Sequence, residues 1–361
     1  MFNYSSKHPF LFVKFVESKL QTLYIILSSK DKKIKVGFSI GDLNGIGGEL
    51  ILKSLCDKHF LELYTPIVYA SSKVMDFLSQ HFEIPISYKN QQTAETALPN
   101  IINVVNVWEE AVEIHFGEPT AASGRYAILS LEAAVNDLKS AAIDVLVTPP
   151  INKHNIQSDT FQFPGHTDYL NKELQGDSLM FMISDKLRIG LLTDHVPIAE
   201  VTSQINEALI CKKVETIYQS LKYDFGIKAP KIAVLGLNPH AGDNGVIGTK
   251  DDLVLKPVLQ RLKASGMGIE GPYSADSFFG SDAYKNFDAI LAAYHDQGLI
   301  PFKTLTFGSG VNFTAGLDKV RTSPDHGTAY EIAGRGIANT ASFRKAIYCG
   351  IAVFRQRQIH Q

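Results

Sequence analysis

The segment IKVGFSIGDLNGIGG at residues 34–48 decides the fold class of this chain. Residues 34–40 alternate in polarity and are rich in β-forming side chains, which predicts a strand. The glycine-rich residues 41–48 predict a turn, and residues 49–59 predict a helix. A strand, a glycine turn and a helix in this order begin a βαβ unit.

The same alternation of strand and helix patterns continues along the chain. Further strands are predicted at residues 66–70, 101–107, 144–148, 188–193, 231–237 and 288–293. Further helices are predicted at residues 72–81, 124–140, 201–221, 251–265 and 329–338. Strands separated by helices form largely parallel sheets that are covered on both faces, so the sequence predicts an α/β fold.

Length, charge and cysteine content limit the class of protein. A chain of 361 residues exceeds one ordinary hydrophobic core, which predicts two α/β domains. The formal net charge of −2 argues against a nucleic-acid partner, because binding phosphates requires a basic excess. The three cysteines lie far apart, which argues against a disulfide framework and a thiolate zinc site and favours the reducing cytoplasm.

Residues 1–33 are interpreted as a leader outside the catalytic fold. Their apolar run at residues 20–27 is too short to span a bilayer. The segment SSKDKK that follows is a poor cleavage site for a signal peptide. A membrane-surface helix or an export signal is the alternative, and no membrane partner is expected for the folded body.

Three histidines that each directly follow a predicted strand indicate a metal site. They are His195, His240 and His295. In open parallel sheets, ligands bind beyond the carboxyl ends of the strands. Three imidazoles that meet there would hold a divalent metal ion and leave positions open for substrate oxygens. The alternative is that each histidine forms only local hydrogen bonds; the three equivalent positions favour the metal.

The segment PGHTD at residues 164–168 predicts an anion or hydroxyl site. The glycine permits close approach of the backbone, and the side chains of His166 and Thr167 can both form hydrogen bonds with a ligand. The alternative is a helix cap, in which Thr167 or Asp168 caps residues 169–174. The two interpretations are compatible, because a helix N-terminus itself binds anions.

Residues 297–321 form a polar stretch interrupted by glycines, and they contain Lys303, Asn312 and Arg321. A lysine and an arginine together suit a phosphate and a carboxylate on one small substrate. Taken singly, each is more often a solvated surface charge. The apolar residues beside them favour partial burial and therefore a binding role.

At this point the motifs resemble a known family. From about residue 34 to residue 351 the chain resembles the 4-hydroxythreonine-4-phosphate dehydrogenase family of pyridoxal phosphate (vitamin B6) biosynthesis. The resemblance rests on GD at 41–42, GIG at 45–47, PINK at 150–153, GHT at 165–167, GLNPHAG at 236–242, YHDQGL at 294–299, VN at 311–312, GL at 316–317, RTS at 321–323 and DHGTA at 325–329.

The resemblance implies roles for individual residues. It implies that the metal, which would be zinc, magnesium or cobalt, is bound by His195, His240 and His295, and that the substrate is bound by His166, Thr167, Lys303, Asn312 and Arg321. It also implies a homodimer with a shared active site, so that a partner chain would supply part of the metal site. The general base is left open among Lys303, Asp276 and His166.

A second resemblance concerns the cofactor. The glycines at residues 45–48 do not form the GxGxxG fingerprint of dinucleotide-binding proteins. Residues 326–339 instead resemble the adenine-side segment of isopropylmalate dehydrogenases, which implies NAD(P) binding by His326, Gly327, Thr328 and Asn339. The implied fold is a two-domain α/β/α fold like that of isocitrate and isopropylmalate dehydrogenases. Residues 34–155 plus about 315–355 would form the first domain, and residues 156–314 the second, with most metal and substrate residues.

The activity implied is the NAD(P)-dependent oxidation and decarboxylation of 4-phosphohydroxy-L-threonine to 3-amino-2-oxopropyl phosphate. An alternative within the family is a 3-dehydrogenase of phosphorylated threonate. Alternatives from other classes are a phosphate acyltransferase-like enzyme and a binding protein without catalytic activity. The three histidines after strands argue against the transferase, which needs no such metal site.

Overall fold

The computed structural model describes residues 33–159, 161–306 and 308–360. The predicted leader, residues 1–33, therefore lies outside the described residues except for Lys33. The Lys33 ammonium donates a hydrogen bond to the Leu61 carbonyl at 3.0 Å, and the first strand begins two residues later at Lys35. Among the described residues, no helix combines the length and the apolar character that crossing a bilayer requires.

Twelve strands form one sheet, in the order β3-β4-β2-β1-β5-β12-β11-β6-β7-β10-β8-β9. In chain order they are β1 Lys35–Ser39, β2 Thr65–Ala70, β3 Tyr88–Gln91, β4 Ile102–Asn106, β5 Val145–Val147, β6 Gly176–Ile183, β7 Arg188–Leu191, β8 Lys231–Leu235, β9 Gly268–Tyr273, β10 Ala289–Ala292, β11 Val311–Leu317 and β12 Val320–Pro324. The pairings are parallel except for β11 with β12, β11 with β6 and β6 with β7. The predicted α/β class with largely parallel strands is confirmed.

Helices lie between most of these strands. They are α1 Gly47–Leu55, α2 Lys58–Leu63, α3 Ser72–His81, α4 Ala121–Lys139, α5 His166–Glu173, α6 Ile198–Gln204, α7 Glu207–Tyr223, α8 Lys256–Ala264, α9 Ala275–Gly280, α10 His295–Thr306 and α11 Ala341–Ile359. Alternate residues of β5 belong to different apolar clusters, Val145 and Val147 to one and Leu146 to another. The sheet is therefore covered on both faces, by α4 on one and α11 on the other.

The strands of the two predicted domains occupy opposite halves of the sheet. Strands from residues 35–147 together with β12 form one half, and β6 to β11 form the other. The halves join where β12 pairs with β11 in antiparallel orientation, and neither this orientation nor the single continuous sheet was predicted. The division into two domains stays a prediction.

The predicted helix at residues 329–338 is wrong. Only a short 3-10 turn, Tyr330–Ile332, is present. Gly334 and Gly336 have positive φ angles of 76° and 71°, which no α-helix contains and which glycine adopts without steric cost. In contrast, the polar stretch after residue 297 contains α10 and β11, which its composition did not predict.

The predicted helix at residues 201–221 is interrupted. It consists of α6 and α7, because Asn206 leaves the helical conformation and its side chain accepts a hydrogen bond from the Leu209 amide. Asparagine is a favoured N-cap for this reason. Predicted element boundaries elsewhere are close to those observed, and α3 begins and ends at the predicted residues.

Candidate active site

A cleft of about 250 Å³ lies beyond the carboxyl ends of several strands. The loop after β5, the start of α5, strands β6, β11 and β12, and α10 all contribute to its walls. Nine of the residues predicted from the sequence line it: His166, Thr167, His195, His295, Lys303, Asn312, Arg321, His326 and Gly327. These residues are separated by up to 161 positions in the chain, so the parallel topology brings them together.

Arg321 lies at the buried base of the cleft. It is 2% exposed, and its Nε and one terminal nitrogen donate to the Thr148 hydroxyl at 3.0 and 2.6 Å. The other terminal nitrogen donates to the Thr314 hydroxyl at 3.2 Å. Burial lowers the pKa of Arg321 to about 9. Within the described part of the chain no carboxylate forms an ion pair with it, so a cation is buried without a counter-ion. An anionic ligand would neutralise it.

Three other cleft residues have buried polar atoms without a hydrogen-bond partner among the described residues. They are the Nε2 atoms of His166 and His326 and the Oδ1 atom of Asn312. An unsatisfied buried polar atom costs about 1–3 kcal/mol, and native proteins usually satisfy such atoms with a ligand or water. Their concentration in one cleft indicates a polar ligand.

His166 is neutral at physiological pH. Burial lowers its pKa well below the ordinary value of 6.5, and the positive charges of Arg321 and Lys153 lower it further. The residue opens α5, with Gly165 as the N-cap and no side-chain cap. The predicted capping by Thr167 or Asp168 is therefore wrong, because the helix begins before both residues.

Two of the three predicted metal ligands face each other across the cleft. The ring centroids of His195 and His295 are 5.8 Å apart. Nδ1 of His295 is 2.7 Å from an Asp296 carboxylate oxygen. Burial and the charge of Lys153 lower the pKa of His195. Both features suit metal binding, because the neutral imidazole is the ligating form and a carboxylate partner orients it.

His240 and Asp276 lie outside the cleft. His240 is exposed in the turn after β8, with a φ angle of 53°. Asp276 is exposed on α9; a hydrogen bond from the Ser274 hydroxyl lowers its pKa, and the nearby His240 contributes a smaller effect. Among residues 33–159, 161–306 and 308–360, no three His, Cys, Asp or Glu side chains gather closely enough to hold a metal ion. A single chain thus brings together two of the three predicted histidines.

Of the four predicted cofactor residues, two line the cleft and two do not. His326 and Gly327 line the cleft, and His326 Nδ1 lies 3.1 Å from the Gly327 carbonyl oxygen. Thr328 and Asn339 do not line it. The Thr328 carbonyl accepts a hydrogen bond from the Ile46 amide at 3.1 Å, and Asn339 accepts one from the Ala341 amide at 2.8 Å, at the start of α11.

Sequence analysis assigned no role to Lys153, although its motif was recognised. This residue lines the cleft, and its ammonium nitrogen lies 3.2 Å from Nε2 of His195. The sequence feature that could have identified Lys153 as a cleft residue is its position in a polar segment directly after β5.

A buried hydrogen-bond bridge beside the cleft was also not predicted. The Asp42 carboxylate, 0% exposed, accepts hydrogen bonds from the Tyr330 hydroxyl at 2.8 Å and from the Asn155 amide group at 3.1 Å. Burial and Asp42 raise the pKa of Tyr330 to about 12, so its hydroxyl remains a donor. Asp42 and Tyr330 are 288 positions apart, and no sequence pattern connects them.

Comparisons with known proteins find similar sequences and structures over most of the chain. The family model described as "Pyridoxal phosphate biosynthetic protein PdxA" matches residues 62–350. A 4-hydroxythreonine-4-phosphate dehydrogenase of Bacteroides thetaiotaomicron is 46% identical over 331 residues, 91% of each chain. A D-threonate 4-phosphate dehydrogenase of Cupriavidus necator is 34% identical over 327 residues, 89% of this chain and 98% of that one. A crystal structure of a 4-hydroxythreonine-4-phosphate dehydrogenase from Klebsiella pneumoniae has a TM-score of 0.76 at 30% identity, covering 91% of this chain and 99% of that one.

Proposed function

This chain belongs to the family described as pyridoxal phosphate biosynthetic protein PdxA, and from that premise we propose that it oxidises and decarboxylates 4-phosphohydroxy-L-threonine with a nicotinamide cofactor. The product would be 3-amino-2-oxopropyl phosphate. Relatives with the corresponding name share up to 46% of their residues with it. D-threonate 4-phosphate is the alternative substrate, because relatives named for it are 33% and 34% identical.

The buried Arg321 without a counter-ion is the observation that carries the proposal. A phosphorylated substrate would supply the missing negative charge, and a guanidinium can bind phosphate through two parallel hydrogen bonds. The unpartnered His166 Nε2 and Asn312 Oδ1 lie in the same cleft; the imidazole can donate to a substrate oxygen, and the amide oxygen can accept a hydrogen bond from a hydroxyl or ammonium group of the substrate. The apolar side chains of Met180 and Met182 line it as well, which would limit access of water to the bound substrate.

His195 and His295 would hold the divalent metal ion, and His240 of the partner subunit would complete the ligand set. When bound, such an ion lowers the pKa of a substrate hydroxyl and polarises the ketone formed from it. The identity of the ion, whether zinc, magnesium or cobalt, is part of this proposal. Asp296 beside His295 would hold that ring in its orientation.

Exposed apolar side chains near the three histidines support a homodimer. Ile198 is 70% exposed and follows His195 by three positions, and Ile300 is 64% exposed and follows His295 by five. Val246, 80% exposed, lies in the loop that begins at His240. Large exposed apolar residues around one functional region are typical of a surface that another chain covers. The proposed dimer would therefore bury these side chains and close the cleft.

The nicotinamide cofactor would enter beside His326 and Gly327, which line the cleft. Thr328 and Asn339 lie further along the same segment, as expected for contacts to a more distant part of a dinucleotide. Lys303 lies in the cleft and would act as the general base in its neutral, deprotonated form. Asp276 lies beside His240 and would reach the reacting groups only from the partner subunit.

The test is an assay of the purified protein with both phosphorylated substrates, NAD+ or NADP+, and each candidate metal in turn. We expect NADH formation coupled to release of carbon dioxide from 4-phosphohydroxy-L-threonine. Turnover of D-threonate 4-phosphate alone would replace the substrate and keep the chemistry. Full activity in the presence of a chelator would refute the metal requirement.

A further inference from the structure

Three cationic side chains line the cleft without an ion pair in the described part of the chain. They are Arg321, Lys303 and Lys153. The proposed substrate carries two anionic groups, a phosphate at one end and a carboxylate at the other. Which cation holds the carboxylate determines which bond is presented for cleavage, so the assignment matters for the mechanism.

Lys153 occupies the outer part of the cleft. The residue is exposed, whereas Arg321 is 2% exposed at the base. The Lys153 ammonium lies 3.2 Å from His195 Nε2, and a Cβ atom added at Gly165 would lie 3.7 Å from its Cε atom. The side chain therefore extends between His195 and the start of α5, where the bound substrate would meet solvent.

The backbone that carries Lys153 is held firmly. Its carbonyl accepts a hydrogen bond from Gln157 at 2.9 Å. Asn152 accepts hydrogen bonds from the amides of His154 and Asn155, and Asn155 is tied to the buried Asp42. The cation is thus positioned by its loop and not by a carboxylate of the protein, which leaves its charge available to a ligand.

We propose that Lys153 binds the substrate carboxylate, the group that leaves as carbon dioxide, and so selects substrates that carry one. This inference rests on the proposed function. The buried base suits the phosphate, because the Arg321 guanidinium offers N–H donors and a positive charge without a counter-ion. Lys153 suits the carboxylate, because its ammonium lies at the exposed end of the cleft on a loop held by hydrogen bonds; Lys303, which is also exposed, is the proposed general base.

The charge change during decarboxylation predicts how Lys153 acts. Hydride transfer to NAD+ and loss of the hydroxyl proton first give a ketone. The bond between the carboxylate carbon and its neighbour then breaks, its electron pair forms a carbon–carbon double bond, and the ketone π electrons move to oxygen. Carbon dioxide departs uncharged, and a proton added to carbon gives the product ketone. Lys153 therefore attracts a charge that disappears in the transition state, so it contributes to substrate binding more than to the chemical step.

The first test compares two ligands in the absence of NAD+, when no turnover occurs. Calorimetry would measure binding of 4-phosphohydroxy-L-threonine and of 3-amino-2-hydroxypropyl phosphate, which lacks the carboxylate, to the full chain with zinc supplied. For Lys153→Met we expect binding of the first ligand to weaken by about tenfold to a hundredfold, as for loss of a charge-assisted hydrogen bond. Binding of the second ligand should be unchanged.

Two variants serve as controls. Lys153→Arg keeps the charge and should retain most of the preference for the carboxylate. Lys263→Met removes an exposed lysine of α8, outside the cleft, and should alter neither affinity. If Lys153→Met weakens the binding of both ligands equally, the assignment of Lys153 to the carboxylate is overturned, whereas the proposed function is not. Failure of the unaltered protein to bind either ligand would overturn the proposed function and the assignment with it.

Steady-state kinetics supply a second readout. Lys153→Met should raise KM for the substrate by a similar factor, whereas kcat should stay the same or increase, because the lost contact stabilised the ground state more than the transition state. A merely structural role would lower kcat and thermal stability together. A collapse of kcat at constant KM would assign Lys153 to proton transfer and overturn the proposal.

Discussion

Arg321 is buried and Arg357 is half-buried, and the two arginines have opposite surroundings. Arg357 forms an ion pair with the buried Asp224 at 2.6 Å, whereas Arg321 has only the hydroxyls of Thr148 and Thr314. Desolvating an unpaired charge costs several kcal/mol. The free protein therefore carries an unfavourable charge at its cleft, which binding of an anion would relieve.

This contrast predicts opposite effects of the two matched substitutions. Arg321→Met should leave the thermal stability of the free protein unchanged or raise it, and should weaken binding of the phosphorylated substrate by about 2–4 kcal/mol. Arg357→Met should lower stability by about 3–5 kcal/mol, because it leaves Asp224 buried and unpaired. Thermal unfolding with and without inorganic phosphate measures both. Equal destabilisation by the two substitutions would contradict a ligand-binding role for Arg321.

His166 predicts how stability depends on pH. Burial, Arg321 and Lys153 hold the pKa of His166 well below 6.5 in the folded chain, while the unfolded chain has the ordinary value. Below pH 6.5 the unfolded state binds a proton that the folded state does not, so stability falls as the pH falls. The slope from this residue approaches about 1.4 kcal/mol per pH unit until the folded pKa is reached. Above pH 6.5 the residue is neutral in both states and contributes no slope.

The measurement is urea unfolding at a series of pH values from about 7 to about 5. His166→Gln removes the titrating group and keeps a side chain that can form hydrogen bonds, so its stability should fall less steeply over this range than that of the unaltered protein. His59→Gln is a suitable control, because it removes an exposed histidine whose pKa Asp57 raises, whereas the pKa of His166 is lowered. Parallel profiles for the unaltered protein and His166→Gln would show that His166 is not held neutral.

At the scale of elements, the buried bridge of Asp42, Asn155 and Tyr330 connects three loops. Asp42 follows β1, Asn155 belongs to the loop that carries Lys153, and Tyr330 lies within residues 326–339, the predicted cofactor segment. The bridge therefore couples the position of the loop that carries Lys153 to that of the loop proposed to bind the cofactor. Hydrogen bonds to a charged group contribute about 1.5–3 kcal/mol each, so this coupling is strong enough to affect binding.

Tyr330→Phe tests the bridge, because it removes only the hydroxyl. We expect faster amide hydrogen exchange at residues 151–156 and a KM for NAD+ raised by about tenfold, with a smaller change in KM for the substrate. Tyr69→Phe is a matched control, since the Tyr69 hydroxyl donates to Asp137 at 2.7 Å away from the cleft. If both variants change exchange in that loop equally, the effect is general destabilisation and the bridge has no positioning role.

Sequence patterns predicted most elements but not the residues that hold them together. The strands before His195 and His295 were readable from runs of apolar residues, because β-strand burial has a simple local signature. Residues 329–338 form no helix, because Gly334 and Gly336 adopt positive φ angles that side-chain periodicity does not record. The burial of Arg321 was not predictable either, since the two threonines that contact it are brought there by strand pairing.

At the scale of the whole molecule, one chain brings only two of the three predicted metal ligands, His195 and His295, into the cleft. The α/β class and the approach of His195 to His295 followed from the rule that parallel strands place their carboxyl ends along one edge. His240 obeys the same rule at the end of β8, yet it lies outside the cleft and beside Asp276. Local patterns place a residue at an edge, but they do not specify which subunit's cleft it faces. Val246 and Leu253, which follow His240 in the chain, are 80% and 72% exposed, as expected if the proposed dimer covers this region.

Subunit complementation decides whether His240 acts across a dimer. His240→Ala and His295→Ala should each be inactive alone. In a mixed dimer, the His240→Ala chain keeps its own His195 and His295 and would receive His240 of the partner subunit, so one site is complete. Random reassociation after mixing makes about half of the dimers mixed, and each mixed dimer has one working site out of two. The mixture should therefore show about a quarter of the activity of the unaltered protein.

Mixing His195→Ala with His295→Ala is the control and should restore no activity, because both residues belong to the same chain's cleft and every site lacks one of them. Equal recovery in the two mixtures, or none in either, would contradict a site in which His240 crosses between subunits.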